Sequence, residues 1–463
     1  MKIAEWTSEV RKLLGLAVPL IIANIAMIGM EVIDTIMSGQ ASADDLAGLA
    51  IGGNIWLLIE VAMGGMLSAL TPRIARFYGA KKTHDITIDV RQGLLLGAFV
   101  GIAAMFLVLA IVPLLPLLGT SDKVTLIAQG YTEIIAYSLP PSAICWVLYC
   151  LFESHALMRF VVLSSLTALV ANLILDYIFV FGKFGFPALG GVGCAWTTTS
   201  IYWFWGLACV IYSIRHPMLK GYKIFSDWPF AFNKTNKQKL INWSRWRAIL
   251  ALGLPISFSM LAEEGFFNVT ALLIAPLGTS SLGAHQITIQ IVALILMFGL
   301  GIGQATAICI ANSIGKNDTS TLSNHIKAGA SLITLVSVSV GLLVLIFKQQ
   351  IPYLFTQDHN IAAISIVLIV WAPFYLLVDA IQVWASHSLR GFEDTKVPML
   401  IQVISYWGVG FPLGYSLGMT SFWGGPYGIY GFWIGFLAGI SIACVLLSIR
   451  IYLKSSSSLI NNS

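Results

Sequence analysis

The chain has 463 residues, of which 57% are hydrophobic and only 10% charged, with a mean hydropathy of +0.85. Soluble domains carry roughly 25% charged residues, so a water-soluble fold is excluded. The net charge of +5 does not point to nucleic acid, because that partner needs basic residues clustered on one surface, and here they fall in the gaps between apolar runs.

In chain order, apolar runs of the ~20 residues that cross a bilayer occur at 13–37, 46–72, 93–118, 128–151, 161–181, 191–214, 248–276, 282–314, 328–347, 362–389, 398–418 and 428–453. The first begins near Leu13, is too long for a signal h-region and has no small-residue cleavage pattern behind it, so it reads as a retained span. Basic residues collect in short cytoplasmic loops. With both termini cytoplasmic, 23 of the 26 Lys and Arg fall inside, and only Lys123, Lys183 and Lys348 fall outside. A miscounted helix would scramble that split. The fold class expected is an all-α polytopic membrane protein with twelve transmembrane helices in two pseudo-symmetric six-helix bundles. Residues 1–214 form the first bundle, 215–247 a polar cytoplasmic linker and 248–463 the second bundle. Six cysteines lie in apolar runs with no CxxC pair or metal-ligand spacing and read as small buried hydrophobes.

An offset of 236 residues pairs Pro19 with Pro255, Leu46 with Leu282, Ile51 with Ile287, Gly65 with Gly301, Ala75 with Ala311, Gly79 with Gly315 and Gly182 with Gly418. Two residues more pair Gly190 with Gly428 and Gly193 with Gly431. Six spans per half make this a parallel repeat about an axis along the membrane normal.

Lys and Arg avoid the spans, but Glu31, Asp34, Glu60, Asp176, Glu263, Glu264 and Asp379 do not. An ionised Asp at mid-helix costs roughly 2.5–3.5 kcal/mol, so acids without basic partners there need protons or metal cations such as Na⁺. Glu31 and Asp34 at i, i+3, and Asn172 and Asp176 at i, i+4, each share a helix face; facing each other, they would form an oxygen-rich cage. Tyr375, Asp379 and Gln382 share one face after Pro373, and Glu263 follows Pro255 by eight residues. Glu264 is turned by about 100° from Glu263. The competing structural reading is that buried Asp and Asn staple helices by hydrogen bonds, that Pro19, Pro255 and Pro373 are passive kinks, and that Glu60, Glu133 and Glu153 stand in interfacial water. Trp423, Tyr427, Tyr430 and Trp433 read as an interface belt.

These segments resemble the multidrug and toxic compound extrusion family, in its NorM-like branch. The resemblance rests on Val32 to Gly39 (VIDTIMSG), Ala171 to Ala195, Leu252 to Gly278, Leu282 to Ile287 (LGAHQI) and Leu376 to Pro398. It implies an alternating-access exporter of cationic and amphipathic compounds in exchange for Na⁺ or H⁺, in a bacterial inner membrane. By position, Glu263, Asp379 and Tyr375 match the second-lobe cation site, with Na⁺ a candidate at Glu263 and Asp379. Asp34, Asn172 and Asp176 match the first-lobe acidic cluster. Substrate contacts are expected from Gln286, Asp34, Asp379 and Glu31. No catalytic residue, resident cofactor or nucleic-acid partner is expected; membrane lipid and small organic cations are, and the working unit is expected to be a monomer. The turn His155 to Phe160 lacks the branch's usual lysine and proline, and Glu31 and Glu60 replace its usual Gly or apolar residues.

No GxxxxGK[ST] loop is present, so the energy source expected is a gradient. A potential of 100 mV is worth about 2.3 kcal/mol per charge, which sustains roughly a fiftyfold substrate gradient. The alternative within transport is a flippase for lipid-linked precursors, which would need basic residues in its spans. An intramembrane aspartyl protease would need YD and GxGD motifs that are absent, and a membrane scaffold would not explain acids without partners.

Overall fold

The computed structural model describes residues 3–226 and 240–460, with side chains from 6 to 226 and from 240 to 456. Part of the expected linker, 227–239, lies outside the described residues. The helices are α1 (Ile3–Ala41), α2 (Ala43–Leu67), α3 (Leu70–Gly79), α4 (Thr83–Ile111), α5 (Asp122–Ala136), α6 (Leu139–Ser154), α7 (Met158–Phe181), α8 (Gly191–Arg215) and α9 (Pro217–Lys220). After the linker come α10 (Trp243–Ile274), α11 (Thr279–Lys316), α12 (Thr319–Ile346), α13 (His359–Gly391), α14 (Lys396–Val403), α15 (Phe411–Met419) and α16 (Ile429–Ile460).

Among the described residues, ten helical stretches are long and apolar enough to cross a membrane, and α5 with α6, bent by 45° at their junction, adds an eleventh. The bend precedes Pro140 and Pro141, which offer no N–H to the carbonyls of the preceding turn. The twelfth is α8, 25 residues long, whose Trp196, Tyr202, Trp203, Trp205 and three successive threonines make it the least hydropathic span. Inside the eleventh span, Ile404–Gly410 winds as a π-helix between α14 and α15.

Two compact units are formed, one by Ile22–Ser257 and the other by Met1–Ile21 with Phe258–Ser463. They differ from the sequence halves at 1–214 and 248–463, because the opening segment of each half is grouped with the other half. Both divisions fall two residues after a proline inside a helix, Pro19 in α1 and Pro255 in α10, where a backbone hydrogen bond is lost.

In the Ile22–Ser257 unit, α2 packs on α5, α4 on α6 and α7 on α8. The start of α10 is fixed to it by charge: Arg245 contacts Asp89 at 2.9 Å and Asp85 at 2.5 Å, and Arg73 contacts Asp89 at 2.8 Å. Further along α10, Ser257 Oγ donates to the Ala62 carbonyl at 2.5 Å. In the other unit, α11, α12 and α16 pack on α13 around a core that includes Phe266, Tyr375, Trp433 and Phe436. There the start of α1 is fixed by Trp6 Nε1 donating to Ser331 Oγ at 2.9 Å and by Glu9, whose carboxylate lies 2.9 Å from His325 and 2.7 Å from Lys12. Under the 236-residue offset, Glu9 is the counterpart of Arg245, and His325 of Asp89. The repeat thus keeps a polar clasp at the same place in each unit, with the acid on α4 in one and on α1 in the other, and His325 carries a charge only when protonated. Asp89 is fully buried and Arg245 only 23% exposed. Removing one partner of a buried pair leaves an uncompensated charge, although Arg73 remains for Asp89. Arg245→Gln should therefore cost less than the ~3–5 kcal/mol of a fully buried pair, visible as a lower unfolding temperature in detergent. Glu9→Gln should cost clearly less, and the reverse order would refute this account.

The repeated glycines have structural reasons. Gly190 and Gly428 both take left-handed φ, +57° and +58°, and a Cβ on Gly190 would meet Asp45 Oδ1 at 2.3 Å. At Gly193 and Gly431 helices touch backbone to backbone: a Cβ would lie 2.8 Å from the Phe179 carbonyl carbon and 2.4 Å from the Gly418 nitrogen, respectively. Because backbone cannot yield as a side-chain tip does, Gly431→Ala is expected to lower stability by at least the ~1–3 kcal/mol of ordinary overpacking. An unchanged unfolding temperature would contradict the contact.

Candidate functional site

In the Ile22–Ser257 unit, Asp34 on α1 is buried, and so are Asn172 and Asp176 on α7. Asn172 Nδ2 donates to Asp34 Oδ1 at 2.8 Å and Thr198 Oγ1 on α8 donates to Oδ2 at 3.2 Å. Ligand atoms of Asp34, Asp176 and Cys194 lie within 4.8 Å of one another. Thr197, Cys194 and Asp34 all neighbour Asp176, yet neither of its carboxylate oxygens has a hydrogen-bond partner of normal geometry among the described residues. Nor does Oδ1 of Asn172 or the hydroxyl of Thr197. Two carboxylates, an amide oxygen and a hydroxyl thus converge where no water-exposed surface screens them. Such a donor set suits a proton or a hard cation, which prefers oxygen ligands. Glu31, expected beside them, lies on the exposed part of α1.

In the other unit, α13 carries Tyr375, Asp379 and Gln382, which are 2%, 3% and 0% exposed. The Tyr375 hydroxyl and both amide atoms of Gln382 have no partner among the described residues. Glu263, half-buried on α10, is in electrostatic contact with Asp379 and with its neighbour Glu264. Asp379 also lines a cavity with Leu296 and Gly299 of α11 and Ser337 of α12. Gln286 lies on the exposed face of α11. Among the described residues, no Lys, Arg or His forms an ion pair with Asp34, Asp176, Glu263 or Asp379.

Some residues of these sites escape a reading by spacing. Thr198 and Cys194 come from α8, where only Gly190 and Gly193 stood out. Tyr406, which stacks on Phe266 at 5.6 Å and interacts with Glu263 and Asp379, is presented by the π-helical stretch, whose register departs from the 3.6-residue period; π segments recur at functional sites. Trp433 is corrected from interface belt to core: it is 2% exposed and its ring lies 5.7 Å from that of Tyr375. Aromatic composition alone says nothing of which face of α16 it occupies. Glu60 is corrected likewise. It is 6% exposed rather than in interfacial water, and it accepts from Ser142 Oγ at 2.5 Å and Trp146 Nε1 at 2.9 Å.

Twelve spans in a parallel repeat, with acidic side chains in each unit that form no ion pair among the described residues, define a polytopic membrane carrier of the two-repeat type. The chain belongs to the MatE family, whose model matches it twice, at residues 19–178 and 255–416. The two matches begin 236 residues apart, as the proline and glycine register requires. The chain is 33% identical over 457 residues to the multidrug resistance protein NorM of Vibrio cholerae, covering 97% of this chain and 96% of that one. It is 31% identical over 447 residues to the NorM of Aliivibrio fischeri, with 96% and 95% covered. Among solved structures it is similar to the eukaryotic MATE transporter AtDTX14, with a TM-score of 0.86, 19% identity and 99% and 100% of the two chains covered. An outward-facing multidrug resistance MATE family transporter gives a TM-score of 0.84 at 18% identity, covering 97% and 96%.

Proposed function

We propose that this chain is a multidrug efflux antiporter: it exports cationic and amphipathic organic compounds by alternating access, in exchange for Na⁺ or H⁺. The observation that carries the reading is the pair of acidic sites, one in each unit, that form no ion pair among the described residues, Arg390 acting on Glu263 only from beyond ion-pair distance. A charge left in a low-dielectric interior is costly, so each site is stable only with a cation or proton bound. Such binding also gives the differential affinity between states without which no ligand shifts a conformational equilibrium. Glu263, Asp379 and Tyr375 would hold the ion in one unit, and Asp34, Asn172 and Asp176 in the other. Asp34, Asp379, Glu31 and Gln286 would meet the substrate. The names of the relatives support drugs as cargo.

The distribution of Lys and Arg supports cytoplasmic placement of both termini and of the 215–247 linker that joins halves 1–214 and 248–463; the same reading has the chain in a bacterial inner membrane, surrounded by lipid and working as a monomer. No catalytic step is part of this reading. The flippase alternative is not favoured: among the described residues no basic side chain forms an ion pair with these acids or lines the cavity beside Asp379, and a pyrophosphate would need one. The test is reconstitution in liposomes with Na⁺ and H⁺ gradients imposed separately while efflux of a fluorescent organic cation is followed. Efflux driven by either gradient is the expected result and names the ion; efflux that responds to neither refutes the proposal.

A further inference from the structure

Asp379 is buried, so a coupling ion needs a path to it through the packed unit. One turn before it on α13, Tyr375 shares its helix face, and the Tyr375 ring meets that of Trp433 on α16 at 5.7 Å. Trp433 in turn meets His285 on α11 at 6.0 Å. His285 is 1% exposed and, like the other two, belongs to the interior. The Tyr375 hydroxyl, Trp433 Nε1 and His285 Nδ1 nevertheless have no hydrogen-bond partner among the described residues. Three orphaned polar atoms thus follow one another through a setting in which nearly all such groups are paired with protein or with ordered water.

The line has a direction. His285 is six residues from Thr279, the first residue of α11, or about 9 Å along the helix. Trp433 is four residues from Ile429, the first of α16, or about 6 Å. The Lys and Arg distribution assigns both helix starts to the outside, so the line leads from the outer end of the unit inward to Asp379.

The repeat separates this line from ordinary packing. Under the 236-residue offset His285 corresponds to Leu49 and Tyr375 to Leu139, and with the two residues more that align the last helix of each half, Trp433 corresponds to Ala195. All three counterparts are buried and apolar. The same places are therefore filled in the other unit without a polar atom, and an unpaired buried polar atom costs stability. Packing does not call for an imidazole, an indole N–H and a phenol at all three. The chemistry of the set also selects its cargo. An imidazole and an indole N–H offer no oxygen to a hard cation such as Na⁺, whereas all three groups hydrogen-bond water, and imidazole can accept a proton at one nitrogen and give one up from the other. Among the described residues His285 forms no ion pair, and the rings that meet it are those of Trp433 and Phe436.

We infer that His285, Trp433 and Tyr375 hold a file of water that carries protons from the outer side to Asp379, with His285 as the outermost relay. The net step moves one proton from water outside to the Asp379 carboxylate, which becomes the neutral acid, and the imidazole is restored once it has passed the proton on. This rests on the export reading, for which it names the coupling ion of this unit and its entrance.

The experiment uses the full chain in liposomes and compares two fluxes. One is net efflux of a fluorescent organic cation driven by an imposed pH gradient; the other is gradient-free exchange of that cation for a non-fluorescent one outside, which needs no proton to cross. His285→Leu, which installs the counterpart residue, should slow the first at least tenfold, leave the second unchanged and not lower the unfolding temperature. Trp433→Phe, which removes the orphaned N–H and keeps an aromatic ring, should slow pH-driven efflux severalfold. In His285→Ala, added imidazole should restore pH-driven efflux. Wild-type pH-driven efflux in both His285→Leu and Trp433→Phe would overturn the proposal, as would an equal loss of both fluxes, which would make these residues structural. If a Na⁺ gradient drives wild-type efflux and a pH gradient does not, the proton file is refuted while antiport stands. If neither gradient drives efflux while the exchange persists, antiport itself is wrong.

Discussion

Asp379→Asn is expected to abolish the coupling of efflux to the ion gradient, the largest single effect anticipated for this chain. The side chain is 3% exposed on α13, in electrostatic contact with Glu263 and Tyr375 and without an ion-pair partner among the described residues. An amide of the same shape preserves packing but removes the charge that a cation or proton would neutralise. Each coupled charge is worth about 2.3 kcal/mol at 100 mV, or roughly fiftyfold in the gradient that can be held. The steady-state ratio of a fluorescent cation across proteoliposomes should therefore fall by about that factor. A wild-type ratio at normal expression would remove Asp379 from the mechanism.

The acidic cluster at Asp34 and Asp176 leads to a second large effect with two opposed readouts. Asp34 is held by Asn172 and Thr198, whereas Asp176 faces it with no hydrogen bond of normal geometry among the described residues. Two carboxylates meeting in a buried place repel each other unless something positive lies between them. Asp176→Asn should then raise thermal stability in ion-free detergent, by about 1–3 kcal/mol on the scale of a buried membrane charge, while transport falls tenfold or more. Asp34→Asn should impair transport to a similar degree, and the double variant should be no worse than either, because the two act as a unit. A loss of stability in Asp176→Asn would instead identify the cluster as a structural staple.

Much of this was legible in the residues. Hydropathy and the Lys and Arg distribution expose the spans because the bilayer leaves the backbone few options, and even α8, diluted by Trp, Tyr and Thr, is bounded by Gly190 and Arg215. The i, i+4 spacing of Asn172 and Asp176 placed them on one face, and the structure brings that face to Asp34. Depth is harder to read. Glu60 lies near the middle of α2, and nothing in its neighbours along the chain tells water from a packed interior; the information is in Ser142 and Trp146, more than 80 residues away. Tyr406 was hidden by the π-helical register, and Trp433 by the lack of any local signal for the face it occupies. The grouping of Met1–Ile21 with the second half was also unreadable, since a repeat fixes which helices are equivalent but not which of them pack together.

That grouping bears on how the protein is made. Trp6 finds Ser331 across 325 residues of chain, and at a synthesis rate of ~5–20 residues per second roughly 15–65 seconds pass between their emergence. Through that interval the leading turns of α1 are without their final neighbours, and the unit they complete cannot close until translation is three-quarters done. Nascent chains halted before α12 should therefore leave Trp6 and Glu9 accessible to chaperones and proteases, whereas the clasp of Arg245 onto α4 closes much earlier.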